Sequence, residues 1–174
     1  AAADLTGSWS LADVTAALST YAAVALNLGL EHLLRAEAAA GNFEIADLED
    51  PCRGCGLAIL GMGKLGADEL NYSSDIDLIV LWDQEVVSYV GRRGPEEGFV
   101  RLTRDLVKII QDRTGDGYVF RTDLRLRPDA GATPVALSMA AADNSYESVG
   151  QNWERAAMTK ARPVAGDVTA GDGL

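Results

Sequence analysis

Two aspartates separated by one residue open an apolar run, Ser73-Ser-Asp-Ile-Asp-Leu-Ile-Val-Leu81. In a strand, residues i and i+2 share a face, so Asp75 and Asp77 point together. Ile76, Leu78 and Val80 then point the other way, toward a core. Paired carboxylates on one face repel unless a cation lies between them, so this pair suits a divalent metal. A third carboxylate, Asp123, stands among Arg121, Arg125 and Arg127 in a segment that alternates with Tyr118, Phe120, Leu124 and Leu126. If that segment runs beside the first strand, Asp75, Asp77 and Asp123 converge on an oxygen-rich site for Mg²⁺ or Mn²⁺. The arginines would meet phosphate oxygens there. A solvated edge strand with internal salt bridges would show the same alternation and need no ligand.

A glycine-rich turn, Gly61-Met-Gly-Lys-Leu-Gly66, comes shortly before the aspartates. Its spacing is that of a dinucleotide fingerprint, a weak signal alone. The D-x-D strand comes too soon after the turn for that fold. Glycines after a strand still let backbone N–H groups approach a phosphate, and Lys64 adds charge. A tight turn with no ligand would use the same glycines.

The elements that position these residues follow from periodicity and punctuation. Residues 10–40 read as one long helix capped by Ser10-Leu-Ala-Asp13, with an inward stripe of Leu11, Val14, Leu18, Tyr21, Ala25 and Leu28. Gly41-Asn42 ends it. His32, the single histidine, continues that stripe and reads as packed or half-buried. Residues 43–55 form a connector, and residues 56–60 a buried strand. Residues 67–72 are short and helical or irregular, Asp75 to Trp82 is the second strand, and residues 84–95 are a loop. A helix from Glu96 to Arg113 turns Phe99, Leu102, Leu106, Ile109 and Ile110 inward. Tyr118 to Arg127 is the third strand, stopped by Pro128. Two helices follow, over 138–149 and 151–162. The domain reading is therefore an N-terminal helix and connector, 1–55, and a catalytic domain, 56–174.

The chain has 174 residues, 48% of them apolar, enough for a sizeable core. Its net charge of −11 argues against sequence-independent nucleic-acid binding, which needs surplus Lys and Arg. No run is expected to reach the length of a membrane span, and no secretory signal is evident. The Ala-Ala-Ala start and Gly-Asp-Gly-Leu end suggest a piece of a longer protein. Cys52 and Cys55 form a C-x-x-C pair, read either as redox or half a zinc site or as two free thiols in a turn. Free thiols and no targeting signal suggest the cytoplasm.

Three blocks in order carry a family resemblance. Gly61-Met-Gly-Lys-Leu-Gly-Ala-Asp-Glu-Leu-Asn-Tyr-Ser-Ser-Asp-Ile-Asp-Leu-Ile is followed by Phe120-Arg-Thr-Asp-Leu-Arg-Leu-Arg-Pro128 and then by Trp153-Glu-Arg-Ala-Ala-Met-Thr-Lys-Ala-Arg-Pro-Val-Ala-Gly-Asp167. From about residue 57 onward the chain resembles the glutamine-synthetase adenylyltransferase and adenylyl-removing enzymes. The resemblance implies an α+β, polymerase-β-like nucleotidyltransferase fold, a small mixed sheet with flanking helices. It implies Asp75, Asp77 and Asp123 as catalytic metal ligands. Gly63, Lys64 and Ser74 would hold nucleotide phosphates, with Arg125, Arg127, Lys160 and Arg162 as further phosphate contacts. Lys64 departs from the superfamily's small residue, and Ala67 stands where a second Gly is expected.

The activity so implied is Mg²⁺- or Mn²⁺-dependent AMP transfer at a tyrosine of glutamine synthetase, using ATP, ADP and phosphate. A PII-type nitrogen-signal protein would be a regulatory partner. The last block is more like the N-terminal, deadenylylating half of these bifunctional enzymes. The adenylylating half, a non-catalytic nucleotide- or signal-protein-binding module, and a polymerase-like nucleic-acid enzyme are the alternatives; the negative charge disfavours the last.

Overall fold

The computed structural model describes residues 2–86, 89–148 and 159–167. A single turn, α1 (Ala2–Leu5), precedes the long helix α2 (Leu11–Ala39). Ser10 caps α2 as its spacing predicts: its side chain accepts from the Asp13 N–H, and the Asp13 carboxylate accepts from the Ser10 N–H. At the other end Gly41 N–H bonds the Ala38 carbonyl at 2.9 Å and Asn42 N–H the Glu37 carbonyl at 2.9 Å, a Schellman closure.

The buried face of α2 is rotated from the predicted stripe. Val14, Ser19, Ala22, Leu26, Leu30 and Leu34 are buried, whereas Leu11, Tyr21 and Leu28 are exposed. His32 is also exposed. The helix is apolar on most sides, so periodicity alone does not select the face that meets the sheet. By length and composition α2 is long and apolar enough to cross a membrane, which corrects the expectation that no run reaches that length. In this structure Leu26, Leu30 and Leu34 share a core with the sheet.

The sheet begins with β1 (Leu57–Gly61), buried throughout, and a four-residue helix, α3 (Gly63–Gly66). β2 (Ile76–Trp82) returns antiparallel to β1, with Leu57 opposite Trp82 and Gly61 opposite Leu78. Helix α4 (Pro95–Gln111) starts at Pro95, one residue before the predicted Glu96, where proline's missing N–H removes no hydrogen bond. It buries Phe99, Leu102, Leu106 and Ile110, while Ile109 is exposed.

The predicted ten-residue third strand is only β3 (Thr122–Asp123), parallel to β2 with Ile76 beside Thr122 and Asp77 beside Asp123. Beyond it the backbone turns. The Arg125 N–H is taken by the Asp123 carboxylate at 2.8 Å, and Arg127 is bonded to loop carbonyls. The charged alternation therefore belongs mostly to a loop.

Two elements were not predicted. β4 (Leu137–Ser138) runs parallel to the far end of β2 and leads into α5 (Met139–Ser148). β5 (Arg162–Gly166) pairs antiparallel with β1, where the sequence suggested the end of a helix. Residues 151–158 of that helix lie outside the described residues. Pro163 fits β5 because this strand ends the path β3-β2-β1-β5 and needs fewer N–H donors.

The sheet is mixed and covered on both faces. Ile76, Leu78, Val80 and Trp82 enter a large core with α2 and α4. Ile79, Leu81 and Leu60 enter a smaller one with Met62, Leu137 and Ala142. Asp77 lies on this second face, at the start of the strand, where the apolar cover stops.

Candidate functional site

β2 carries the site because alternation must do two things at once. Its even residues fill the main core, so Asp77 is turned to the other face at the strand entrance, with Asp75 just before the strand on the same cleft. The antiparallel return from β1 brings the glycine turn to the same end: the Met62 N–H donates to the Asp77 carbonyl at 2.9 Å. Gly63 follows with φ +53°, and a Cβ on it would lie 3.1 Å from Asp77 Oδ2. The missing side chain thus leaves space directly over that carboxylate. Parallel pairing supplies Asp123 from β3, level with Asp77.

The three carboxylates share a region but not an environment. Asp75 pairs with Arg121, and the Arg121 Nη2 also donates to the Ser73 carbonyl at 2.7 Å. Asp123 is gripped by Arg125, whose Nη2 lies 2.6 Å from Oδ2 and whose Nε lies 3.0 Å from each oxygen. That bond holds Asp123 below the usual carboxylate range. Asp77 has neither hydrogen bond nor ion pair at its side chain among the described residues. Burial, then the charges of Asp123 and Asp75, push its carboxyl upward.

A cleft of about 440 Å³ is lined by Gly63, Lys64, Ser73, Ser74, Asp75, Asp77 and Arg121. A second of about 350 Å³ adjoins it through Asp75 and reaches Gln111, Thr122, Asp123 and Arg125. As the side chains stand, no group of three acidic, His or Cys residues among those described is arranged to hold a metal. The donor set nevertheless fits a hard divalent ion: an unpartnered, crowded carboxylate on Asp77, a second on Asp75, and a glycine leaving room above them. Engaging Asp75 or Asp123 fully would require its arginine to yield.

The remaining expected residues divide. Ser74 borders the cleft, its hydroxyl donating to Asn71 Oδ1 at 2.8 Å. Lys64 borders it with no ion pair among the described residues. Arg127 is turned into its own loop, where Nη2 donates to the Ala130 carbonyl at 2.7 Å and the Thr133 carbonyl at 3.3 Å. Lys160 lies 3.7 Å from Glu69, and Arg162 holds Asp68 and the carbonyls of Leu65 and Gly66. Those two therefore brace the back of α3. Arg121, expected only as one of the arginines around Asp123, lines the cleft itself, and so does Ser73, which the sequence reading did not single out. Cys52 and Cys55 are buried thiols not joined in a disulfide, and burial pushes them up to about 12 and about 11, far from reactive thiolates.

A mixed sheet with helices on both faces, opening at one strand entrance into an acidic cleft flanked by arginines and a glycine turn, defines a small mixed α/β unit. The chain belongs to the glutamate-ammonia ligase adenylyltransferase family, whose model matches residues 1–172. It is 54% identical over 171 residues to a bifunctional glutamine synthetase adenylyltransferase/adenylyl-removing enzyme of Bradyrhizobium sp., covering 98% of this chain and 17% of that protein. Proteins of the same name from Rhizobium meliloti and Xanthobacter autotrophicus are 52% identical over 172 residues and 53% identical over 171 residues. These matches cover 99% and 98% of this chain and 17% of each relative. The chain thus spans about one sixth of the length of the curated relatives it matches.

Proposed function

We propose that this chain is a nucleotidyltransferase unit of polymerase-β-like fold that removes AMP from a tyrosine of glutamine synthetase in the cytoplasm, with inorganic phosphate as acceptor and ADP as product. The observation that carries the reading is Asp77: a crowded, unpartnered carboxylate under a glycine turn, level with a third carboxylate on a parallel neighbour. Asp75, Asp77 and Asp123 would hold Mg²⁺ or Mn²⁺. Such an ion supplies positive charge to phosphoryl oxygens.

This chain's own groups supply the rest. Gly63 allows a phosphate to approach the backbone, and Lys64 and Ser74 border the same cleft. A phosphate oxygen attacks the phosphorus of the tyrosyl-AMP bond, the P–O bond to tyrosine breaks, and the tyrosyl oxygen takes up a proton. Alignment and charge neutralisation carry most of the rate.

The direction is supported by the Trp153–Asp167 block, which resembles the deadenylylating half of these enzymes. Phosphate is already an anion, so attack by it needs no general base. The test incubates the chain with AMP-modified glutamine synthetase, Mg²⁺ and phosphate and measures ADP. A parallel arm supplies ATP and the unmodified synthetase. ADP in the first arm alone supports removal, AMP incorporation in the second alone reverses the direction, and neither product overturns the enzymatic reading.

A further inference from the structure

The two aspartates at the entrance to β2 are not equivalent, and Arg121 makes the difference. Its Nε donates to Asp75 Oδ1 while its Nη2 donates to the Ser73 carbonyl at 2.7 Å. The guanidinium fork therefore clips the chain segment that enters β2. Among the described residues Asp77 has no comparable partner, so one member of the pair is open and the other occupied. Arg121 also lines the cleft beside Lys64, Ser74 and both carboxylates, within reach of any anion seated there. A guanidinium and a divalent cation compete for the same oxygen charge.

We infer that Arg121 is the resident counter-cation of Asp75: a divalent ion displaces it from the carboxylate, and the freed guanidinium turns to the phosphate group that enters with the ion. The inference rests on the nucleotidyltransferase reading of this cleft and adds an exchange of partners to it. The pair is easily exchanged, because the Arg121 and Asp75 side chains are 56% and 46% exposed. Such ion pairs are weak, so breaking this one should lower metal affinity by only about two- to fivefold. In return, metal and phosphate binding become coupled: without the ion Arg121 is committed to Asp75, and with it Arg121 is available to the anion.

Two equilibria test this in the same chain: Mn²⁺ binding without nucleotide, followed by electron paramagnetic resonance of the free ion, and ADP binding with and without saturating Mn²⁺, followed calorimetrically. Arg121→Gln should tighten Mn²⁺ about two- to fivefold. It should weaken ADP binding only when Mn²⁺ is present. Arg121→Lys keeps the charge but loses the two-nitrogen fork, and should still tighten Mn²⁺. Lys64→Gln removes a cleft charge that holds no carboxylate, and reports the effect of charge alone.

Unchanged Mn²⁺ affinity in both Arg121 variants, equal tightening in Arg121→Gln and Lys64→Gln, or equal loss of ADP affinity with and without Mn²⁺ would each overturn the exchange. Asp77→Asn separates the two levels. If it abolishes Mn²⁺ binding while the Arg121 variants change nothing, the metal reading stands and the exchange fails. If Asp77→Asn binds Mn²⁺ as tightly as the parent, the metal reading fails and the exchange with it.

Discussion

Two basic segments, Arg121–Arg127 and Lys160–Arg162, look alike as sequence and do different work in the fold. In the first, Arg121 and Arg125 grip Asp75 and Asp123, so their charge is spent on the acidic cleft. In the second, Arg162 grips Asp68 and the carbonyls of Leu65 and Gly66, at the C-terminal end of α3, and Lys160 approaches Glu69. A cation at the last carbonyls of a helix turn satisfies orphan acceptors. The first segment thus tunes the carboxylates, and the second builds the turn that faces them. Residue type alone does not assign a phosphate contact; what the guanidinium fork already holds does. Arg127 belongs with neither, because its loop consumes its donors.

This contrast can be broken from either side. The largest effect should come from the cleft: Asp77→Asn is expected to lower ADP release from AMP-modified glutamine synthetase by about a thousandfold or more, roughly 4 kcal/mol of transition-state stabilisation. Circular dichroism should show the fold retained, and parent-like turnover would end the metal assignment. Next is the turn. A Cβ on Gly66 would lie 1.8 Å from the Lys160 carbonyl oxygen and 2.5 Å from that of Gly61, both backbone atoms. Gly66→Ala should therefore destabilise the chain by about 3 kcal/mol in a denaturant titration, through overpacking that no rotamer can relieve.

Arg162→Gln should lower stability by about 1 kcal/mol, since its bonds are charge-assisted but partly exposed. Its Mn²⁺ affinity should match the parent's, the opposite pattern to the Arg121 variants. A shift in Mn²⁺ affinity without loss of stability would erase the distinction between the two segments.

The smallest effect concerns pH. Burial and two like charges raise the Asp77 carboxyl in the folded state. Its contribution to stability is then fully present below the unfolded value and is lost as pH rises through the folded one. Asp77→Asn should accordingly raise the melting temperature at pH 7, and the gain should fade in acid, where Asp77 is protonated. Asp123 runs the other way: its depressed value contributes stability at neutral pH that is lost as pH falls through that value. Thermal melts of Asp77→Asn and Asp123→Asn across pH would show the two trends crossing; parallel curves would refute unequal environments.

Local signals located much of this in advance. The Ser10 cap, the Gly41-Asn42 stop, both central strands and α4 are short-range features, written in caps, breakers and periodicity. The inward face of α2 was misplaced because alanine and leucine lie all round it, leaving no polar side to orient it. The third strand was overextended because side-chain alternation arises in a loop whose arginines bond its own carboxylate and carbonyls as readily as in a ladder. β5 was missed because a strand containing Pro163 is tolerated only at an edge, and that edge exists only once β1 is in place.

By itself the sequence determined that two carboxylates share one face of a buried strand behind a glycine turn. Strand alternation has period two, and a core on one side leaves Asp75 and Asp77 no choice of direction. Only the tertiary structure decided that they differ. Parallel pairing set Asp123 level with Asp77, and Arg121 closed on Asp75 across 46 positions of sequence. Among the described residues Asp77 was left without a partner and Asp75 was not. Charge partners are chosen by distance in space, and no local pattern of residues carries that distance.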